Sequence, residues 1–183
     1  MSRAIDTRDA AAVEDEVHSI YATLFPATAS EFVRTAFGWT ARCFAGGHPG
    51  YLAIDARYHD LEHTLQGALC LARLMRGLHT AGDVTAPTVR AFELGIVAIL
   101  FHDTGYLKAR SDTEGTGAKY TAVHVGRSAA FAEAFLAPKG FTPADVRAVQ
   151  NMINCTGIST DLQAIEFQSE QERTRGYALG PSD

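Results

Sequence analysis

The chain has 183 residues, 46% hydrophobic and 20% charged, a composition typical of one globular domain with a full core. Its net charge of −5 argues against nucleic-acid binding, because a nucleic-acid-binding protein needs a basic face. The charged N-terminus and the short apolar runs predict neither a signal peptide nor a membrane-spanning segment. Free thiols and a cytoplasmic location are expected from three widely spaced cysteines, Cys43, Cys70 and Cys155.

The first part of the chain shows apolar residues at the spacing of amphipathic helices. Residues 9–25 carry one apolar stripe, which Pro26 closes. A second helix has Ser30 as its N-cap and ends before the glycine-rich turn at 46–50. A short strand at 51–54 would lack a partner, so no sheet is predicted.

Two long helices are predicted in the middle of the chain. The third begins near His59 and runs through Leu78. The fourth starts around Pro87, a residue favoured in a first turn, and is apolar on almost every side through Phe101. Since a helix without a polar face is typical of a protein interior, we expect the fourth helix to be central and buried.

The last part of the chain is also predicted to be helical. Residues 104–118 are polar and glycine-rich, which predicts a loop, and a fifth helix extends from about 119 to 137. A sixth helix is N-capped by Thr142, and a short helix is expected within 169–179. The predicted fold is an all-α, single-domain helical bundle over residues 1–183.

Two polar residues, His102 and Asp103, end the most apolar helix. Burying a histidine and a carboxylate there costs several kcal/mol unless they are paired or bound to a metal. Both side chains can reach one ion only where the helix is ending, and Gly105 permits such an ending. In the alternative interpretation, the histidine caps the last carbonyl groups and the aspartate faces water.

A second polar stretch, Arg-Tyr-His-Asp-Leu-Glu-His-Thr at 57–64, places His59 and His63 four residues apart. On a helix this spacing puts both imidazoles on one face. The stretch alone is compatible with a metal site, with proton transfer or with a solvated surface.

Together the two stretches resemble the HD-domain superfamily of metal-dependent phosphohydrolases. The segments RYHDLEHTLQGAL and AILFHDTGYL are most similar to the cyclic-nucleotide phosphodiesterase branch, whose helix begins Tyr-His-Asn-x-x-His. Asp60 stands here in place of that asparagine, a departure that bears on the substrate class. The resemblance covers about residues 55–160.

The resemblance implies a role for each of four residues. His63, His102 and Asp103 match metal ligands, and Asp103 would also orient the attacking water. His59 matches the residue that protonates the leaving group, and an unperturbed imidazole titrates near neutral pH. Histidine and carboxylate ligands indicate a divalent metal ion, namely Mn, Fe, Co, Ni or Zn more than Mg.

The same pattern implies a last aspartate ligand on a later helix. Asp183 and Asp161 are the candidates, and Asp183 is favoured because Gly-Pro-Ser before it is a helix-start signal. The chain supplies no helix after this signal, so we expect it to be truncated at its C-terminus. The alternative interpretation makes Asp161 a cap or a solvated loop residue.

Two further residues are predicted to contact substrate. Lys108 follows the His-Asp pair closely, and its mobile positive charge suits a phosphate group. His124 matches a pocket histidine of many HD proteins and shares a helix face with Ser128. An exposed loop lysine and a helix-packing histidine are the alternatives.

These patterns predict metal-dependent hydrolysis of a phosphate ester in a small phosphorylated substrate, with no nucleic-acid or membrane partner. Two alternatives are a di-iron oxygenase in the same helical cage and a non-catalytic metal- or nucleotide-binding domain. The oxygenase needs further histidines after the His-Asp pair, where only His124 is available.

Overall fold

The fold is a bundle of α-helices around one central helix. The computed structural model describes residues 5–28, 30–157 and 160–180, and no strand occurs within these ranges. The α-helices are α1 (Ala10–Leu24), α2 (Phe32–Phe44), α3 (Leu61–Thr80), α4 (Val89–Phe101), α5 (His124–Leu136), α6 (Pro143–Asn154) and α7 (Glu170–Leu179). Short 3-10 turns lie at Thr104–Tyr106, Gly117–Tyr120, Ala137–Lys139 and Leu162–Ala164. The predicted all-α single-domain bundle is confirmed.

Side-chain caps define where several of the helices begin. Thr142 and Asp145 form a reciprocal capping box at the start of α6, with Pro143 in the first turn. Ser169 caps α7 by accepting a hydrogen bond from the Glu172 N–H group. Comparable caps satisfy backbone N–H groups at the starts of α1, α3 and α4, from Asp9, Asp60 and Thr88.

The central helix is α4, as its sequence predicts. Every residue from Ala91 to Phe101 is buried, and α4 packs against α2, α3 and α6. Apolar side chains from the other helices form one continuous core around it. Among the described residues, no helix is both long and apolar enough to cross a membrane. The buried end of α4 therefore fixes the position of the His102–Asp103 pair that follows it.

Several elements differ from the prediction. The N-cap of α2 is Glu31 and not the predicted Ser30. The third helix begins at Leu61 and not at His59, because Tyr58 has a left-handed backbone (φ 69°) and Asp60 is the N-cap. The fifth helix begins at His124, because residues 117–120 form a tighter 3-10 turn. Residues 104–108 are buried, so the predicted loop is in part an interior turn.

A polar network joins α1, α4 and α6 at the end of α4 remote from His102. The carboxylate of Glu93 is largely buried and accepts hydrogen bonds from Tyr21 Oη at 2.8 Å and Arg90 Nη1 at 3.1 Å. Arg90 also donates to Asp145 through Nε at 3.1 Å and Nη2 at 2.8 Å. This two-point ion pair, the leading cause, lowers the pKa of Asp145 to about 2.

Arg90→Met is expected to lower the free energy of unfolding by about 1–2 kcal/mol, because it leaves two carboxylates without their cation. The folded pKa of Asp145 is depressed below 3.8, so its contribution is complete above that pH and is lost as the pH falls toward 2. The difference in the free energy of unfolding between the variant and the wild type should therefore become smaller as the pH falls from 3.8 toward 2. Urea unfolding at several pH values measures it, and exposed Arg147→Met is the matched control. If the two substitutions lowered the free energy of unfolding equally, the stabilising role of Arg90 would be contradicted.

Candidate metal centre

Three imidazoles surround one carboxylate oxygen where α4 ends. Oδ2 of Asp103 lies 3.1 Å from His59 Nδ1, 3.3 Å from His102 Nε2 and 3.7 Å from His63 Nε2. The Asp103 side chain is only 1% exposed, whereas those of His59 and His63 are 35% and 40% exposed. The four residues predicted from the two sequence stretches therefore meet at one point, with the carboxylate at the bottom and two imidazoles reachable from solvent.

His63 is positioned by the first turn of α3. Its backbone N–H donates to the Asp60 carboxylate at 3.0 Å, and the Asp60 carbonyl oxygen accepts from Thr64 Oγ1 at 3.2 Å. Thr64 is fully buried, so the turn is anchored in the core. Asp60, the residue that departs from the family pattern, thus acts as the N-cap that holds the His63 backbone in place.

His59 lies in the turn before α3. The predicted shared helix face of His59 and His63 is therefore wrong, although their ring centroids lie only 5.8 Å apart. The His59 ring stacks on Tyr106 at 4.2 Å, and Tyr106 Oη lies 3.2 Å from His59 Nε2. Tyr106 stacks in turn on His124 at 4.6 Å. The left-handed backbone at Tyr58 directs the chain so that His59 joins this stack.

The tautomer of His102 is determined by its surroundings. His102 Nδ1 lies 2.7 Å from the Ile99 carbonyl oxygen, which only accepts hydrogen bonds, so Nδ1 carries the proton. In the neutral ring Nε2 then carries no proton but a lone pair, and this nitrogen lies 3.3 Å from Asp103 Oδ2. Two acceptors at this distance need a cation between or beside them, either a second proton on the imidazole or a metal ion.

Burial decides which cation suits His102. Desolvation is the largest influence on its pKa and lowers it, outweighing the opposing attraction of Asp103. The second proton is thereby disfavoured, and a neutral imidazole with a bare Nε2 is the form that binds metals. The side chains at this point therefore fit a divalent metal ion.

Asp103 is ionised despite its burial. Burial by itself would raise the pKa of its carboxyl group, but the hydrogen bond from His59 and the electrostatic attraction of the surrounding imidazole N–H groups bring the pKa below the ordinary value. An ionised carboxylate and neutral imidazoles are the ligand forms that divalent metals require.

Ligand atoms of three residues lie within 4.8 Å of one another, in an arrangement that can hold a metal ion: His59, His63 and Asp103. Two of these, His63 and Asp103, are predicted ligands. The third, His59, is the residue that the family resemblance assigns to proton transfer. His102 contacts the same carboxylate oxygen from the core side, outside this group of three.

A cavity of about 1020 Å³ opens above the centre. It is bounded by the starts of α3 and α5, by Ile99 of α4, by Leu179 of α7 and by the segment that follows α6. Helix α5 starts at His124 without a side-chain cap, and its first residues, His124, Val125 and Gly126, line the cavity. The predicted pocket histidine, His124, therefore stands at the wall, and its Nδ1 lies 2.7 Å from the Thr121 carbonyl oxygen.

Gly105 and Ser128 hold the His102–Asp103 turn against α5. The Ser128 hydroxyl accepts a hydrogen bond from Gly105 N–H at 2.8 Å and donates one to the His102 carbonyl oxygen at 2.5 Å. A Cβ atom on Gly105 would overlap the carbonyl oxygen of His124. Gly105 is therefore needed for close packing, whereas α4 ends through right-handed backbone at His102 and the 3-10 turn after it.

The structure does not bring three other predicted residues to the centre. Lys108 is 5% exposed and does not line the cavity, because its amino group donates to the Gly115 carbonyl oxygen at 2.5 Å. Asp161 caps a 3-10 turn by accepting from Gln163 N–H and is not a lining residue. The favoured last ligand, Asp183, lies outside the described residues.

Two tyrosines at the site were not predicted. Tyr106 contacts His59 and His124, and Tyr58 lines the cavity with 86% of its surface exposed. Tyr106 follows His102 by four residues, about one helical turn. Continuing the helical pattern of α4 by one turn would therefore have indicated that Tyr106 lies near His102. Tyr58 directly precedes His59 in the sequence, and this neighbourhood could have indicated that Tyr58 lies at the site.

No protein-family model, no curated protein and no solved structure matches this chain.

Ser128→Ala is expected to lower the free energy of unfolding by about 1–3 kcal/mol, because it leaves a buried N–H group and a buried carbonyl oxygen without partners. Chemical denaturation measures the loss. Ser19→Ala, at an exposed position of α1, is the matched control and should change stability by less than about 0.5 kcal/mol. A loss no larger than that of the control would show that Ser128 does not support the turn.

Proposed function

We propose that the chain is a metal-dependent phosphohydrolase that cleaves a phosphate ester of a small, nucleotide-like substrate, as expected for an HD-type domain. The observation that carries this proposal is the pair of facing lone pairs on His102 Nε2 and Asp103 Oδ2, 3.3 Å apart at the floor of a large cavity. Such a pair is costly without a cation and favourable with one.

His63, His102 and Asp103 would hold the metal ion, with His59 within reach of it. Nitrogen donors together with a single carboxylate suit Mn²⁺, Fe²⁺, Co²⁺, Ni²⁺ or Zn²⁺ better than Mg²⁺. A divalent ion at this place would supply a water of lowered pKa and would neutralise charge developing on phosphorus.

His59 is the proposed proton donor to the leaving group. A ring that donates Nδ1–H to Asp103 keeps Nε2 for proton transfer, and Nε2 already lies within hydrogen-bond distance of Tyr106 Oη. The Asp103 carboxylate stabilises the protonated ring, much as a buried carboxylate orients a catalytic histidine in hydrolases. Because His59 is partly exposed at the cavity, a substrate oxygen can reach its proton.

The first turn of α5 suits the phosphate group. Its N–H groups carry the positive end of the helix dipole and no side chain caps them, while its first residues line the same cavity as the His/Asp centre. His124, in that first turn, is proposed to contact the substrate. This geometry gives the non-bridging phosphate oxygens a second contact besides the metal.

A di-iron oxygenase is the alternative with a distinct structural requirement. It needs further histidines for a second ion, and among the described residues that line the cavity His124 is the one histidine besides His59, His63 and His102. The described residues therefore favour the phosphohydrolase.

His102→Ala is expected to weaken binding of Mn²⁺ or Ni²⁺ about 100-fold or more, because it removes the imidazole that reaches the carboxylate from the core side. Elemental analysis and metal titration of the purified protein measure this. His79→Ala, an exposed histidine at the end of α3, is the matched control and should bind metal as the wild type does. Unchanged metal affinity in the His102 variant would contradict the proposed ligand set.

His59→Ala is expected to retain the metal and to lower kcat about 10²- to 10⁴-fold on a chromogenic phosphate ester, since a general acid contributes a factor of this size. Metal content and turnover are measured on the same preparation. Loss of the metal in this variant would make His59 a ligand, and the proton-transfer role would then be wrong.

A further inference from the structure

The walls of the cavity carry an unusual charge pattern for a phosphate site. Among the described residues that line it there are acids, histidines, threonines and apolar side chains, but no lysine and no arginine. Asp60 and Glu62 add negative charge on the α3 side. Sites that bind di- or triphosphates place lysine or arginine around the outer phosphates, because these groups pair with phosphate oxygens directly.

Two cations on the elements behind the cavity are directed elsewhere. Arg127 of α5 donates to the carbonyl oxygens of Gly105 at 2.7 Å and Leu107 at 2.8 Å, and its guanidinium lies 3.6 Å from the centre of the Tyr120 ring. Lys108 is buried against the Gly115 carbonyl oxygen. Arg127 stabilises the turn that follows Asp103 and Lys108 holds the loop at Gly115, so both side chains are engaged within the protein.

Cations near the cavity mouth do not change this pattern. Arg8 contacts Glu62 at 3.7 Å and is not a lining residue. Arg57 precedes Tyr58 in the chain, is exposed, and does not line the cavity either.

Part of the remaining wall is apolar. Ile99, Val125 and Leu179 face the cavity, and two strongly exposed apolar residues, Tyr58 (86%) and Val123 (55%), stand at its wall. Tyr58 has a positive φ of 69°, a conformation that costs a residue with a side chain about 1–2 kcal/mol. The exposed ring of Tyr58, held by this strained backbone, offers a flat surface on which an aromatic or apolar group can pack.

We propose that the cavity selects a substrate with a single phosphate group and an uncharged, aromatic or apolar remainder, and that it discriminates against di- and triphosphates. This inference rests on the proposed function. One divalent ion offsets only two negative charges, one of which belongs to Asp103. Each additional phosphate would lie against walls without a cation and close to Asp60 and Glu62, and would lose hydration without a partner.

The test compares AMP, ADP and ATP, which differ only in the number of phosphates. Binding to the Mn²⁺-loaded chain is measured by calorimetry at a fixed free-metal concentration, because ATP itself binds the ion. We expect the affinity to fall about fivefold with each added phosphate. Affinity that is equal for the three nucleotides or rises from AMP to ATP overturns the inference, and so does a chain that binds none of them.

A variant with an added positive charge tests whether the lack of lysine and arginine on the described cavity wall causes the preference for AMP. Gln66 lines the cavity on α3 and is exposed, so it tolerates substitution. Gln66→Lys should reduce the preference for AMP over ATP about tenfold, because it supplies the missing cation. Gln66→Met has a side chain of similar length without the charge and without the donor to Thr7 and Glu62, and should keep the wild-type preference. Equal ratios in the two variants overturn the inference.

Turnover separates this inference from the proposed function. Hydrolysis of chromogenic phosphate esters together with tightest binding of ATP would retain the hydrolase and overturn the charge selectivity. Tightest binding of AMP without turnover of any ester would retain the selectivity and overturn the hydrolase.

Discussion

The burial of one carboxylate, that of Asp103, is the constraint on which the site depends. A negative charge at the end of an apolar helix needs polar partners, and three imidazoles surround this one, among which His59 is within hydrogen-bond distance at 3.1 Å. His102 is tied to α4 through the Ile99 carbonyl group, and His63 is tied to α3 through the Asp60 cap. The charge therefore links the helix that is most deeply buried to the helix that opens the cavity.

The support for this charge comes from packing behind it. Ser128 joins the His102 carbonyl group and the Gly105 N–H group to α5, and Arg127 donates to the carbonyl groups of Gly105 and Leu107. These contacts use the polar groups that would otherwise be unsatisfied where α4 ends. These contacts also engage the guanidinium group of Arg127, which is therefore directed away from the cavity. The same contacts thus hold the turn and keep this cation away from the described cavity wall.

Much of this arrangement follows from local sequence. The apolar run ending in His102 predicts a buried helix with a polar pair at its end, and Thr142 with Pro143 predicts the start of α6; both are confirmed. Local periodicity did not place His59, because the left-handed backbone at Tyr58 is set by the turn and not by a repeating pattern. Closeness to the His-Asp pair likewise did not indicate the burial of Lys108, which depends on the path of a loop that returns to Gly115. Contacts between distant segments decided both outcomes.

The claim that a metal ion lies between His102 and Asp103 is tested most directly by anomalous diffraction from crystals of the full chain grown with Mn²⁺ or Ni²⁺. We expect one peak per chain, about 2.0–2.3 Å from both His102 Nε2 and an Asp103 carboxylate oxygen. A proton on His102 would give no peak there and would leave the two groups in direct contact. A crystal containing the ion elsewhere but not at this pair would contradict the account.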